Sequence, residues 1–349
     1  MNVINKIQAH SSQWVFVAPI AGLTLTNDIN NEINISRVTL VERNKLVRIR
    51  KRLGFDLTKD EFENRTIKNK HWGGVEANTF AIMKCRGVPK EMKRKCIDLL
   101  KYELFILASS QLGWGRRKNN SHPSLMGYQN MGNISYEFLD TKSKAGMYNN
   151  ELTGKYMPLV LNGAWKRHHK QSFFFKLLKL IYGKPRKDSW SNTLERVAVM
   201  VGQSQCSNDL AQSFLWNMIA IEMLLSERGD TYIDVLPERV ESILGWVGFW
   251  SVDDYSRKIR EVYKKRCGFV HDGKINNISI PDLLFTDDIL LNLLVNIVNN
   301  PQTFYSKQSV VDFADKVKAE HLLGRKSRVR PKSLQFTSRL YSEEDLLEI

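Results

Sequence analysis

The 349-residue sequence has no apolar run of the roughly 18 residues that a membrane-spanning helix needs. Its strongest stretches, residues 214–225 and 289–298, are short and are interrupted by Asn217, Glu222, Asn292 and Asn296. The N-terminus has no basic segment leading into an apolar core, so neither a secretory signal nor a membrane anchor is expected, and a cytoplasmic location is. Cysteine is scarce: Cys85, Cys96, Cys206 and Cys267 fall at no metal-ligand spacing and read as free thiols. The seven histidines form no HxxH, HExxH or His/Cys cluster, and the adjacent His168 and His169 would project about 100° apart on a helix, so no metal site and no cofactor are expected. Neither GxxxxGK[ST] nor GxGxxG occurs, which removes the usual glycine-rich phosphate cradles. The segment 113–121 (GWGRRKNNS) could approach phosphates, but it reads more simply as a basic loop. Internal repeats and low-complexity linkers are missing too.

Acidic residues are in deficit: 37 Asp and Glu stand against 52 Lys and Arg, a formal charge of +15. Such a field attracts polyanions and speeds their capture. The excess is concentrated in Arg43, Lys45, Arg48, Arg50, Lys51 and Arg52, in residues 166–187, and in Arg325, Lys326, Arg328, Arg330 and Lys332. Each block alone could be a solvated face; three together favour nucleic acid.

The length predicts two domains. Residues 1–163 read as a mixed α+β domain, with strands expected at 14–19, in one or two pieces within 33–47, and at 79–84, 133–139 and 157–161. A helix is expected over 90–110. From residue 164 the periodicity becomes helical, and 164–324 reads as an all-α helical bundle. Its helices are expected at 165–182, 192–203, 209–226, 237–247, 252–271, 281–298 and 307–323, with Ser251 and Asp254 forming a capping-box start. Phe173, Phe174 and Phe175 read as core residues. Residues 325–349 form a tail, basic and then acidic at Glu343, Glu344, Asp345 and Glu348, that is expected to fray.

Helical wheels bring out one constellation. Over 209–226, Glu222 falls between Met218 and Leu215, on an apolar face; over 252–271, Arg266 falls between Val262 and Tyr263, on the stripe that also holds Tyr255, Ile259 and Val270. A buried carboxylate needs a cationic or donor partner. The two faces therefore suggest one interhelical contact in which guanidinium and carboxylate pair. By itself such a pair is equally read as a device that fixes helix register. His271 follows Arg266 by five residues, about 140° round an ideal helix, so the two side chains do not share a face unless the helix distorts at Gly268 or ends near Gly273.

Arg266-x-x-x-x-His271 resembles the RxxxxH motif of HEPN domains, and its setting, residues 263–273 (YKKRCGFVHDG), is similar to the Apea-like branch of that superfamily. Residues 214–225 (FLWNMIAIEMLL) resemble that branch's upstream helix, with Glu222 where the helix acid is expected; the likeness covers roughly 194–294, and residues 14–40 resemble the start of such proteins more weakly. The resemblance implies metal-independent RNA cleavage by attack of a 2′-hydroxyl on the adjacent phosphate, leaving a 2′,3′-cyclic phosphate. His271 would move the proton, Arg266 would stabilise the phosphate charge, and Glu222 would orient Arg266. Lys264, Lys265 and Lys274 would contact nucleic acid. It also implies a homodimer in which two motifs line one cleft, and a bacterial anti-phage setting in which the first domain senses a phage-derived or host trigger. Active members often carry Asn, Asp or His directly after the arginine, where this chain has Cys267. That departure favours the alternative, a non-catalytic HEPN module binding nucleic acid or a nucleotide; a further alternative is an adaptor within a nucleic-acid complex.

Overall fold

The structure, a computed structural model, describes residues 13–68, 71–72, 75–86, 89–117, 123–125, 133–139, 146–152, 158–183, 188–244, 252–275, 277–324 and 334–347. A small antiparallel sheet towards the N-terminus precedes a mostly helical C-terminal region. The chain divides into two compact units, Met1–Lys101 with Asn120–Asn162, and Tyr102–Asn119 with Gly163–Ile349. Residues 102–119, expected in the first domain, thus belong to the second unit.

In the first unit the strands are β1 (Gln13–Ala21), β2 (Leu23–Leu25), β3 (Glu32–Ile35), β4 (Val38–Glu42), β5 (His71–Trp72), β6 (Val75–Glu76), β7 (Thr79–Arg86), β8 (Ser124–Leu125), β9 (Asn133–Leu139), β10 (Gly146–Leu152) and β11 (Leu159–Leu161). The main sheet runs β3-β4-β7-β1-β8 with antiparallel neighbours. β1 continues through Pro19, which lacks a ladder donor and lies opposite Phe80 of β7. The expected strand over 33–47 stops at Glu42. There the Glu42 carboxylate accepts from the Lys45 N–H at 3.2 Å and starts α1 (Arg43–Ile49), a cap that outweighs the β-branched pattern. Leu46 and Val47 of α1 join Val41, Phe80, Ile82 and Phe62 of the short α2 (Lys59–Phe62) in the core.

α3 (Pro89–Ala108) begins in the first unit, and its last turns enter the second. The second unit continues with α4 (Gly163–Gln171), α5 (Phe174–Tyr182), α6 (Ser189–Cys206), α7 (Leu210–Leu225), α8 (Tyr232–Leu244), α9 (Val252–Asp272), α10 (Ile280–Asn299), α11 (Lys307–Leu322) and α12 (Glu343–Leu347). α7 packs on α6 and α10, and α8 on α9 and α11. Two expected helices differ. The one over 165–182 breaks at Ser172 and Phe173, because three consecutive phenylalanines on one straight helix would point 100° apart; the break lets Phe173 and Phe174 both be fully buried. α8 starts a turn and a half before Pro237, its first turn closed by the Asp234 and Val235 N–H groups on the Thr231 carbonyl. The proposed Ser251–Asp254 capping box lies outside the described residues, as do 118–121 of the basic loop.

The tail is not frayed where it is described: residues 335–339 lie along α10, Leu334 is buried, and Tyr341 accepts from the Arg117 N–H. The basic loop is structural as well. Arg117 is buried, with Nε and Nη2 donating to the two Asp287 oxygens at 2.8 and 3.0 Å and with Nη1 and Nη2 donating to the Ser204 carbonyl and hydroxyl at 2.8 and 2.7 Å. Arg116 pairs with Asp345 of α12.

Close approach and burial make two features testable. A Cβ on Gly202 of α6 would lie 1.8 Å from the Phe105 carbonyl oxygen, so Gly202→Ala, which gains up to about 1 kcal/mol of helix propensity, should instead destabilise by about 2 kcal/mol or more in urea unfolding. His169 is fully buried against Trp165 and Phe174, with ring centroids 4.7 and 5.7 Å away. Burial, reinforced by His168, lowers its pKa to about 3. The unfolded chain takes up this proton below about pH 6.5 and the folded chain does not, so stability is lost as pH falls from there towards 3. At about pH 4.5 the loss from this group is roughly 2–3 kcal/mol. His169→Leu should narrow the stability gap between pH 7 and pH 4.5 by that amount; an unchanged gap would refute the assignment.

Candidate functional site

α7 and α9 bring Glu222 and Arg266 together. Arg266 Nη2 donates to Glu222 Oε2 at 3.1 Å, and Nε lies 2.9 Å from Oε1. The second contact is close, but the N–H is not aligned on the oxygen, and both atoms are buried without another partner. The fork is therefore half-formed: one aligned bond and one Coulombic contact. Both side chains are largely covered, at 12% exposure for Glu222 and 17% for Arg266. Burial pushes the Glu222 carboxyl above its usual range, and the Arg266 charge and hydrogen bond only partly offset it. Such a pair contributes position more than stability.

Tyr263, one turn before Arg266, is buried, with its ring centroid 5.9 Å from the guanidinium carbon. Burial, then the neighbouring Cys267 and Glu222, pushes its hydroxyl up to about 12. Val262 and Ile259 share the buried stripe as the wheel indicated, but Val270 does not; it is 47% exposed. The reason is the end of α9. Gly273 adopts a left-handed conformation (φ 66°), its N–H reaching the Phe269 carbonyl and the Lys274 N–H reaching the Gly268 carbonyl. The final turn stands clear, so Val270, His271 and Ile275 are all exposed.

α9 is unbroken between Arg266 and His271, which places them about 140° apart round the axis and about 7.5 Å along it. One chain therefore does not bring the two to a common point. The lysines divide similarly. Lys264 is exposed; Lys265 is held at 2.7 Å by Asp282, which also caps α10 through Ser279; Lys274 is exposed and pairs with Asp272 at 2.8 Å. Lys264 and Lys274 are thus accessible to a polyanion, and Lys265 is a structural tie between α9 and α10. Cys267 is half-buried beside Tyr263. Among the described residues no three His, Cys, Asp or Glu side chains are grouped to hold a metal ion, and no helix is long and apolar enough to cross a membrane.

Sequence reading missed the polar centre on α10. Asp287 is fully buried and accepts from Asn217 at 2.8 Å and Gln205 at 3.2 Å in addition to Arg117. Asn217 within the apolar run 214–225, and Asp287 two residues before the run 289–298, were its available signals. Compared with protein-family models, with curated proteins and with solved structures, the chain matches none.

The half-formed pair can be tested by a double-mutant cycle. Glu222→Ala should cost about 1–3 kcal/mol by leaving a covered guanidinium unpaired, and adding Arg266→Met should recover most of that loss in denaturant unfolding. Additive losses would show that each side chain is held by other partners.

Proposed function

We propose that this chain is a metal-independent endoribonuclease of HEPN type, acting as a homodimer. What carries the reading is a covered, under-bonded arginine–carboxylate pair on two packed helices, followed after one and a half turns by an exposed histidine within RxxxxH. In the proposed reaction the substrate 2′-hydroxyl attacks the adjacent phosphorus as its proton passes to a base. The bond to the 5′-oxygen breaks as that oxygen takes a proton, leaving a 2′,3′-cyclic phosphate and a 5′-hydroxyl. Arg266, with N–H groups not spent on Glu222, stabilises charge on the phosphate oxygens. Glu222 positions Arg266.

Base and acid are two groups, and each chain supplies one motif histidine. A second copy supplies the other. The exposed turn at the end of α9 supports such pairing, since Val270 and Ile275 give it apolar surface on either side of His271. Lys264 and Lys274 and the charge of +15 favour a polyanionic substrate. By the same resemblance the setting is bacterial defence against phage, the first unit sensing a trigger. A non-catalytic nucleic-acid-binding module is the second reading, favoured by Cys267, which replaces the polar residue that would hydrogen-bond phosphate with a half-buried thiol.

Incubation of the protein with RNA in EDTA tests these readings. His271→Ala and Arg266→Ala should each lower cleavage about 100- to 10,000-fold with the fold intact, and Val270→Asp should abolish both dimerisation in sedimentation and cleavage. Binding of RNA without cutting, unaffected by His271→Ala, would establish the second reading. A fully active monomer would remove the composite site.

A further inference from the structure

α10 presents Asp288, Asn292 and Asn296 four residues apart, on one face. The last two, each 1% exposed, are bonded to the backbone of the C-terminal segment in the same way. Asn296 accepts from the Gln335 N–H at 2.8 Å and donates to the Gln335 carbonyl at 2.9 Å. Asn292 accepts from the Thr337 N–H at 2.6 Å and donates to the Thr337 carbonyl at 2.8 Å. Asp288 continues the register two residues on, accepting from Arg339 Nε at 3.1 Å. The match is geometric: four residues of helix rise about 6 Å, and two residues of extended chain about 6.6 Å. The side-chain amides thus act as a neighbouring β-strand would, satisfying both backbone groups of alternate residues.

The side chains of Gln335 and Thr337 are exposed, so the two amides read main chain and not sequence. Sequence is read at the ends. Leu334 is buried, and Arg339 donates to Asp288 and, through Nη1, to the Leu112 carbonyl at 2.8 Å. Beyond it, Tyr341 Oη accepts from the Arg117 N–H at 3.1 Å. Main-chain capture of alternate residues with a few anchoring pockets is how proteins bind extended peptides.

We propose that this face of α10 is a peptide-binding site, and that residues 334–341 are its built-in occupant, held at the high effective concentration that tethering confers. Its ligand class is an extended peptide with an apolar residue followed five positions later by arginine. A partner carrying such a segment displaces the chain's own. The inference does not depend on the ribonuclease reading.

The test uses the full chain with a protease site introduced between Gly324 and Leu334, cleaved after folding, and a fluorescent synthetic peptide of residues 333–347. The cleaved fragment should remain bound on gel filtration and exchange with the labelled peptide to a stoichiometry of one. Gln335→Ala and Thr337→Ala in the competing peptide should change its affinity less than twofold. Gln335→Pro with Thr337→Pro, which removes both donated N–H groups, and separately Arg339→Ala, should each weaken it at least tenfold. Aggregation of the protein as the fragment leaves, a fragment that never exchanges, or alanine peptides as weak as the proline peptide would each overturn the proposal.

Discussion

Asp287 is the group on which the helical unit depends. A carboxylate removed from water at the middle of α10 costs several kcal/mol, and burial alone would raise its pKa. Arg117, by charge and hydrogen bonding, with Arg339 and Asn217, outweighs that and holds the carboxyl below its usual range. Each donor arrives from a different piece of chain: Arg117 from the loop after α3, Gln205 from α6, Asn217 from α7. Satisfying one charge therefore fixes three segments against α10. It also explains why residues 102–119 belong with the helices and not with the sheet that precedes them in sequence.

The same anchoring sets the candidate site. Asn217 and Glu222 lie five residues apart on α7, so a helix whose Asn217 is bonded to Asp287 turns Glu222 about 140° away, towards α9. The two carboxylates then differ by their donors. Asp287 receives four hydrogen bonds and is stabilised as an anion; Glu222 receives one that is aligned and is pushed the other way. The first arrangement is complete and structural. The second leaves donor capacity on Arg266, which is what a phosphate-binding group requires.

The polar residues that interrupt the apolar runs of α7 and α10 turn out to have distinct jobs. Asn217 and Asp287 build the buried centre, while Asn292 and Asn296 hold an extended strand of the same chain. In an otherwise apolar helix each such residue must find a partner. The partner of Asn292 lies 45 residues away, and only the folded chain brings it near.

Much was legible beforehand because it is local. The 3.6-residue period located the helices of the second unit, the alternation over 33–47 indicated one or two strands where β3 and β4 lie, and two wheels identified Glu222 and Arg266 as partners, since burying one charge obliges another. The misplacements were also physical: Pro237 looked like a helix start, although the first turn is closed by Thr231, and Val270 looked buried, although Gly273 ends α9 and leaves its last turn clear. Legible in the chain alone were the helical segments of the second unit and the need of Glu222 for a cationic partner, because periodicity and desolvation act on neighbours. The folded chain alone shows which donors Asp287 takes, that α9 runs unbroken from Arg266 to His271, and that residues 335–339 dock on α10. Those outcomes depend on contacts between residues far apart in sequence, whose geometry no local pattern encodes.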